Sequence, residues 1–559
     1  MNRHIRSTLL LLPLLWLSLG YDASGQERSA IRTIKASTAS ALSHGDSSRA
    51  LAKLQSDLES IISLSAELKK RTVGVSVVSV KSGKSLYSLN AEKPLTPAST
   101  TKLITAYSAL LLFGSDYDIA TIAFAGKPPR DGVLKGNLYI KGHGDPVLSI
   151  NDIDALVDRI KAAGIKRIEG DIVGDGTFFD DVYERKDYSG DADHVVNLPP
   201  VSGLAIENNM VTVVVSSSRK SGQLCNVQTF PPSSGFTIVN SAKSYVPKRR
   251  RKKRRRSSID SYEMPRTITP RAVIGRFGDQ EYYEDDIPDG TEGAEEAGVA
   301  ISITADDEGR QIVRVSGTLG VNKTISKRYE IQNPPLVVAG MFYDRLRTRG
   351  IVITGSITTG ATPTAAHAVA EFSRPIMQVL SPMMKNSDNH YAEYVFKMIG
   401  ATATRGTEGH TAEFSRAAIR QCMEACPSDF GKCLLNDGSG LSRRNLITAE
   451  ALTGALMMAY HNPNVYRPLY SALSVAGVDG TLRKRMKKTR AQGNVHGKTG
   501  TLRNVSALSG YVTTADGEML GFAALMNGYS IGSYKDVQDR IAVRLSEFSY
   551  TEGIIPEGQ

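Results

Sequence analysis

The chain is poor in cysteine and tryptophan, with four Cys and one Trp among 559 residues. After the N-terminal stretch, no run approaches the about 20 apolar residues that a membrane-spanning helix needs. No internal repeat is visible, which excludes a solenoid, and the 41% apolar content excludes a disordered or fibrous protein. A chain of this length and composition buries a large core, so we expect two or three packed domains.

The N-terminus has the pattern of a secretory signal peptide. Basic residues precede an apolar run at residues 9–19, and Ala23 and Gly25 stand at −3 and −1 of a cut before Gln26. The alternative is an uncleaved anchor, but the run is too short to span a bilayer comfortably. We therefore expect residues 1–25 to be removed, and the mature protein to be exported and soluble in the periplasm or another extracytoplasmic space.

An oxidising compartment favours a disulfide over a metal site for the cysteines. Cys422 and Cys426 stand one helical turn apart, so both could face Cys433, while Cys225 lies far away in the sequence. A zinc site would need a fourth ligand such as His410, and the spacing lacks the paired C-x-x-C form that structural zinc favours. We therefore predict no metal and no cofactor.

The chain has a formal net charge of +11, and one tract contains a basic block followed by an acidic block. Nine consecutive basic residues occupy 248–256, and nine acidic residues follow between Asp279 and Glu296. One interpretation is a solvated low-complexity insertion at 248–296, in which the opposite blocks attract each other. The alternative is a basic handle on an anionic envelope surface. Because the blocks nearly cancel, we expect no nucleic-acid partner.

The hydrophobic pattern differs between regions of the chain, with helical spacing in some and strand-like apolar runs in others. Helical spacing over 50–68 precedes a β-hairpin at 73–80 and 85–89, and a helix should run from just after Pro97 to near Gly114. Residues 116–330 are mainly β, with one clear helix at 152–163. Helical patterns return later, and apolar runs at 506–512 and 519–526 predict adjacent antiparallel strands, followed by a helix at 537–548.

Ser99 and Lys102 form an S-x-x-K pattern at the start of a predicted helix. Their side chains share one face, because three residues are nearly one turn. A serine hydroxyl is a weak nucleophile that needs a base, and a buried lysine with a lowered pKa serves as one. The pattern alone is weak, since Ser217 and Lys220 repeat it where no helix aligns the pair.

Two further motifs follow Ser99 in a fixed order. Ser387 and Asn389 lie in an S-D-N triplet, and Lys498, Thr499 and Gly500 form a single K-T-G triplet before strand-rich sequence. A lysine at a strand edge supplies positive charge, a threonine hydroxyl binds a carboxylate, and a glycine lets the substrate backbone approach. S-x-x-K, S-D-N and K-T-G in this order are shared by penicillin-binding proteins and class A β-lactamases.

Longer stretches make the chain resemble the class C low-molecular-mass penicillin-binding proteins, the D-alanyl-D-alanine carboxypeptidase/endopeptidase family. They are GHGDP at 142–146, NDGSGLSR at 436–443 and AGVDGTL at 476–482. The resemblance implies an α/β (α+β) fold of the penicillin-binding-protein/β-lactamase-like serine transpeptidase type. The predicted domains are the signal peptide 1–25, a catalytic domain formed by 26–115 and 331–559, and a large, mainly β inserted region at 116–330.

The resemblance also implies roles in cleaving peptidoglycan stem peptides and in covalent inhibition by β-lactam antibiotics. Ser99 would attack the bond between two D-alanines, Lys102 would be its base, Ser387 would relay a proton and Asn389 would bind Lys102 and the substrate amide. Lys498 would keep the field positive.

The remaining roles concern substrate binding. Thr499 would bind the terminal carboxylate beside Gly500, and backbone N–H groups of Ser99 and Thr501 would form the oxyanion hole. Arg443 would bind the diamino-acid side chain, although a surface arginine that caps the turn fits equally well. Asp180 is a weaker candidate for the same pocket.

Two alternatives remain at this point. The first is a β-lactamase of the same fold, but no E-x-x-L-N stretch between Asn389 and Lys498 supplies a deacylating glutamate. The second is an inert cell-wall binding protein, which would have no need for five intact catalytic side chains. The sequence therefore favours a serine-type D-Ala-D-Ala carboxypeptidase, with endopeptidase activity left open.

Overall fold

The computed structural model describes residues 44–63, 72–191, 198–246, 298–306, 309–404, 410–528 and 531–552. The predicted signal peptide at 1–25 and the charged tract at 248–296 lie outside the described residues. No helix within the described ranges is long and apolar enough to cross a bilayer.

The described helices, in chain order, are α1 (His44–Ser63), α2 (Thr101–Phe113), α3 (Ile150–Ala162), α4 (Arg185–Ser189), α5 (Pro334–Thr348), α6 (Met377–Lys385), α7 (Asn389–Thr404), α8 (Thr411–Glu424), α9 (Ala449–Tyr460), α10 (Pro463–Ala472) and α11 (Ile531–Glu547). The described strands are β1 (Thr72–Ser79), β2 (Ser85–Leu89), β3 (Asp118–Ala125), β4 (Val133–Lys135), β5 (Leu138–Gly142), β6 (Arg167–Glu169), β7 (Ile172–Asp175), β8 (Met210–Ser216), β9 (Asn226–Phe230), β10 (Phe236–Asn240), β11 (Lys243–Tyr245), β12 (Val299–Ala305), β13 (Gln311–Gly320), β14 (Thr324–Glu330), β15 (Val352–Ile353), β16 (Ile357–Thr359), β17 (His367–Pro375), β18 (Ser474–Val475), β19 (His496–Leu502), β20 (Val505–Thr513) and β21 (Met519–Asn527).

A six-stranded antiparallel sheet, in the order β18-β19-β20-β21-β1-β2, separates two apolar cores. Along β21, Phe522 and Ala524 pack into one core, while Ala523 and Leu525 pack into the other. This alternation is the two-residue period of a strand that is buried on both faces. The first core includes residues of α1 and α11, and the second includes residues of α2, α7 and α9. The predicted hairpin and the predicted β20–β21 pair are confirmed.

Smaller sheets lie between the first two motifs and have their own core. A five-stranded sheet has the order β16-β7-β5-β3-β17, and the others are built from β4, β6 and β15, from β8, β9 and β14, and from β10 to β13. Strand β8 alternates between buried and half-buried residues, as expected for a strand with one face on a core. The predicted helix is α3, which Ser149 and Asp152 begin with a capping box.

The structure adds to the prediction for this region in two respects. The short helix α4 was not predicted, and sheet elements continue beyond residue 330, because β17 pairs with β3. The domain boundaries remain predictions.

The expectation of a disulfide is wrong. Cys225, Cys422, Cys426 and Cys433 are all free and buried. The last three pack in the apolar core beside α2, where burial raises the pKa of each thiol. Each side chain therefore serves as a small core residue, a role that cysteine fills readily.

Candidate active site

Ser99 lies in a short 3-10 turn, Ala98–Thr100, that leads directly into α2. Lys102, in the first turn of α2, places its Nζ 2.9 Å from Ser99 Oγ. Ala98 has φ +48°, a left-handed conformation that a residue with a Cβ rarely adopts. The S-x-x-K spacing thus brings hydroxyl and amine together as predicted, with the preceding residue in a strained conformation of the kind found at functional sites.

Lys102 is fully buried and surrounded by hydrogen-bond acceptors. Besides Ser99, its Nζ donates to Asn389 Oδ1 at 2.6 Å and to the backbone oxygen of Ser439 at 2.7 Å. Burial lowers the pKa of Lys102 from its ordinary value to about 8, while the charges of Asp437, Glu393 and Asp388 act in the opposite direction. The amine is therefore tuned toward the range in which a general base works near neutral pH.

Ser387 and Lys498 form a second hydroxyl–amine pair. Lys498 Nζ, on β19, donates to Ser387 Oγ at 2.7 Å and to the Thr499 backbone oxygen at 3.0 Å. Burial, and then the charge of Lys102, lower the pKa of Lys498 well below its usual range. Ser387 has φ +62° in the turn between α6 and α7, so this turn also holds a strained functional residue.

Strand β19 lies close to the turn that carries Ser99. A Cβ at Gly500 would meet the Pro97 backbone oxygen at 2.7 Å and Ala98 Cβ at 3.2 Å, so only glycine fits between these elements without a shift. Thr499 Oγ1 donates to Thr481 Oγ1 at 2.8 Å, and Thr501 lies farther along the same strand. The three motifs therefore meet at the edge of the six-stranded sheet.

A buried network that the sequence did not predict supports the loop whose backbone binds Lys102. Glu393 is fully buried, and its carboxyl accepts hydrogen bonds from the Ser439 backbone N–H at 2.8 Å and from the Tyr188 hydroxyl at 3.0 Å. Burial, and then the charge of Asp437, raise the pKa of Glu393 to about 7. The only sequence signal for Glu393 was its position four residues after Asn389, which places both on one face of α7.

Asp437 continues this network. It pairs with Arg185 of α4 at 3.1 Å and accepts backbone hydrogen bonds from Gly440 and Ser442. In the sequence, α4 lies between the first two motifs. Side chains from that inserted region therefore contact the loop that binds Lys102. Hydrogen bonds within the NDGSGLSR stretch thus hold this loop in its conformation.

The two weaker candidates have different surroundings. Arg443 Nη1 donates to the backbone oxygen of Arg503 at 3.0 Å, just after β19, so it lies beside the K-T-G strand. Asp180 instead accepts hydrogen bonds from Lys397 Nζ at 2.7 Å and from the Thr411 backbone N–H at 2.8 Å. Asp180 therefore caps the first turn of α8 and balances a buried lysine, and its binding role stays a prediction.

The second S-x-x-K pattern lacks the first one's geometry. Ser217 follows β8, is hydrogen-bonded to the Lys323 backbone, and stands in irregular structure with the exposed Lys220. No helix aligns the two side chains. This difference agrees with the interpretation of that pattern as ordinary surface.

Comparisons with known proteins find relatives that match nearly the whole chain and not only the three motifs. A D-alanyl-D-alanine carboxypeptidase from Actinomadura sp. (strain R39) is 31% identical over 528 residues, which cover 91% of this chain and 87% of that protein. D-alanyl-D-alanine carboxypeptidase DacB of Haemophilus influenzae is 25% identical over 473 residues, covering 84% and 88%.

The crystal structure of penicillin binding protein 4 (dacB) from H. influenzae has a TM-score of 0.61 at 22% identity, and covers 89% of this chain and 99% of that one. This likeness confirms the predicted fold. The model of the D-Ala-D-Ala carboxypeptidase 3 (S13) family matches residues 54–271 and 278–548. The predicted resemblance is thereby confirmed, and the chain belongs to the D-Ala-D-Ala carboxypeptidase 3 (S13) family.

Proposed function

We propose that the chain is a serine-type D-alanyl-D-alanine carboxypeptidase that acts on peptidoglycan stem peptides through an acyl-enzyme. The observation that carries this proposal is the 2.9 Å contact between Ser99 Oγ and the buried Nζ of Lys102. Membership of a carboxypeptidase family and the relatives named as D-alanyl-D-alanine carboxypeptidases support the same reaction.

Acylation begins when neutral Lys102 takes the proton of Ser99. Because burial lowers its pKa to about 8, a neutral fraction of Lys102 is accessible near neutral pH. Ser99 Oγ then attacks the carbonyl carbon between the two D-alanines, and the oxyanion lies between the backbone N–H groups of Ser99 and Thr501. The C–N bond breaks, and Ser387, hydrogen-bonded to Lys498, relays the proton held by Lys102 to the departing amine, so that Lys102 is neutral again.

Deacylation reverses these roles. A water molecule gives its proton to the Lys102–Ser387 machinery and attacks the ester carbonyl, which frees the shortened peptide and restores Ser99. If the leaving amine belongs to a second peptide instead of free D-alanine, the same steps cleave a cross-link. An endopeptidase activity therefore needs no further catalytic group.

Substrate orientation comes from the edge of β19. We assign the terminal carboxylate to Thr499, within the positive field of Lys498, and the substrate backbone to the space beside Gly500. Asn389 holds Lys102 and the substrate amide. Arg443, beside the end of β19, is the candidate for the side-chain diamino acid, and Asp180 is a weaker one.

The cellular setting is part of the proposal. A signal peptide at 1–25 exports the protein to the periplasm or another extracytoplasmic space, where its polymer substrate lies. The basic block at 248–256 is the candidate contact for an anionic envelope surface, and its alternative is a solvated insertion.

The test is covalent labelling with penicillin followed by mapping of the modified peptide. We expect label on Ser99, and loss of both labelling and D-alanine release in Ser99→Ala. Ser217→Ala is the matched control, since it removes the serine of the second S-x-x-K pattern and should leave both activities intact. Label that persists elsewhere in Ser99→Ala would overturn the assignment.

A further inference from the structure

A cavity of about 670 Å³ lies behind the active-site loop, and three arginines line it. Arg416 and Arg420 come from α8, and Arg444 comes from the segment that follows NDGSGLSR. Leu434 and Leu446, which pair their backbones, supply an apolar surface. We call this cavity the arginine pocket.

The pocket carries positive charge, and the charge of Glu413 acts on Arg416 without forming an ion pair within 4 Å. Arg416 donates to the backbone oxygens of Tyr188 and Asn436 at 3.2 and 3.3 Å, and Arg420 donates to those of Phe430 and Cys433 at 3.4 and 3.2 Å. These acceptors are neutral. Among the described residues, no ion pair satisfies any of the three guanidinium groups. Because each guanidinium has five N–H donors, several remain for a ligand.

This arrangement is costly when the pocket is empty. Arg416 and Arg420 are four residues apart on α8, and like charges at this spacing destabilise a helix. Leu434 is 53% exposed at the same place. A ligand that combines a carboxylate with small apolar groups would reduce both costs, since guanidinium groups bind carboxylates through paired hydrogen bonds.

The pocket adjoins the active site along two chain segments. Arg444 directly follows Arg443, which contacts the residue after β19. On the other side, Asn436 lies three residues before Ser439, whose backbone oxygen binds Lys102. The pocket and the active site therefore share one stretch of chain, the segment from Asn436 to Arg444.

We infer that the arginine pocket binds a free carboxylate of a second stem peptide, joined to the one whose bond is cleaved. This inference rests on the proposed function and names its preferred substrate: a cross-linked or polymeric peptidoglycan fragment. Stem peptides present free carboxylates beside alanine methyl groups, which matches the charged and apolar parts of the pocket. A single free stem peptide gains nothing from the second site.

The test measures binding of peptide fragments by fluorescence anisotropy in a Ser99→Ala background, which prevents turnover. The probes are a single stem pentapeptide, a cross-linked peptide dimer, and the same dimer with its free carboxylates amidated. We expect Arg444→Glu to weaken binding of the acidic dimer about tenfold, and to leave the other two probes unchanged. Its effect should shrink as salt is added.

Arg467→Glu is the matched control, because it reverses one exposed charge on α10, away from the pocket. Arg420→Gln provides a second variant with a smaller expected loss in the same direction. Melting temperatures show whether each variant is folded. The inference is overturned if Arg444→Glu binds the acidic dimer as the parent does, if it weakens all three probes equally, or if Arg467→Glu has the same effect.

The proposed function is tested separately in enzyme that retains Ser99. D-alanine release from the single pentapeptide should be equal in the parent and in Arg444→Glu. Absence of release from the parent would refute the carboxypeptidase activity. The binding results would still test whether the arginine pocket binds a carboxylate.

Discussion

At the scale of single residues, the proposed chemistry depends on Lys102. Lys102→Ala removes the base while leaving Thr499 and Gly500 to bind substrate. We expect acylation by penicillin to slow by about a hundredfold or more, the usual contribution of a general base, with little change in KM for the peptide. Lys220→Ala, in the second S-x-x-K pattern, is the control. Acylation at the parental rate in Lys102→Ala would contradict the scheme.

The pH dependence of the parent enzyme gives an independent readout of the same residue. In the proposed mechanism Lys102 acts when neutral, and burial lowers its pKa to about 8. The rate constant of acylation should therefore rise with pH below 8 and level off above it, because deprotonation creates the active form. A profile that falls as pH rises from 6 to 8 would show that the charged lysine is the active form.

Glu393 acts through Ser439 and is a positioning residue. Glu393→Ala would leave the buried Ser439 N–H without its acceptor, which costs about 1–3 kcal/mol, and would loosen the carbonyl that holds Lys102. We expect kcat to fall with KM nearly unchanged. Glu393→Gln keeps an acceptor oxygen of the same size, so it should recover most of the activity. Equal losses of kcat in Glu393→Gln and Glu393→Ala, measured by D-alanine release, would show that charge matters and not position.

At the scale of elements, the loop at 436–442 and the turn that carries Ser99 are in direct contact. Gly440 has φ +86°, and a Cβ there would lie 2.0 Å from the Ala98 backbone oxygen. We expect Gly440→Ala to displace the turn and to reduce both stability and penicillin acylation. Gly493→Ala is the matched control: its φ is +73°, but nothing lies within 4 Å of the added Cβ.

Gly493→Ala should therefore cost about 1–2 kcal/mol from backbone strain alone and should keep its acylation rate. Urea unfolding and labelling kinetics measure the two effects separately. Parental acylation in Gly440→Ala would show that the loop does not position Ser99.

Helices and strands that have a local hydrophobic pattern could be predicted, whereas contacts between elements far apart in the sequence could not. The β20–β21 pair follows from two apolar runs with turn residues between them, and α2 follows from its periodicity after Pro97. The support of Lys102 by Glu393 joins α7 to a loop more than forty residues later, and no local pattern encodes it. The disulfide prediction failed for a related reason, since the compartment argument takes no account of how the thiols pack in a core.

At the scale of the whole molecule, residues between the first two motifs support the loop that binds Lys102. Arg185 and Tyr188 of α4 contact Asp437 and Glu393, which hold the loop behind Lys102. From the sequence, this region was predicted to be a mainly β insertion, and its contacts with the active-site loop were not predicted. Removing it whole should therefore damage catalysis, whereas removing only the charged tract at 248–296 should not.

The charged tract provides that comparison. Its flanking strands both pair with one end of β13, Tyr245 with Gly320 and Val299 with Gly317, so a short linker can join them. Deleting residues 248–296 and inserting a Gly/Ser linker should leave D-alanine release from a soluble pentapeptide intact, because loop closure costs little. If the basic block is a handle, salt-sensitive adhesion to anionic envelope material should fall. A collapse of peptidase activity would show that the tract belongs to the fold.

The lifetime of the acyl-enzyme distinguishes this protein from a β-lactamase of the same fold. A class A β-lactamase activates its deacylating water with a glutamate, and the sequence between Asn389 and Lys498 offers no E-x-x-L-N stretch for that role. The buried carboxyl of Glu393 is already engaged by Ser439 and Tyr188. In the proposed mechanism, water is then activated by Lys102 and Ser387, the same groups that are proposed for acylation.

A bound penicillin obstructs that water, because its opened ring stays tethered to the acyl group, whereas the D-alanine released from a peptide diffuses away. We therefore expect slow loss of penicillin label and fast turnover of a D-alanyl-D-alanine peptide on one preparation. The measurement is a pair of single-turnover experiments, one that follows decay of the penicilloyl-enzyme and one that follows D-alanine release. Decay of the penicilloyl-enzyme within about a second, at a typical enzyme turnover rate, with the peptide untouched, would replace the carboxypeptidase with a β-lactamase.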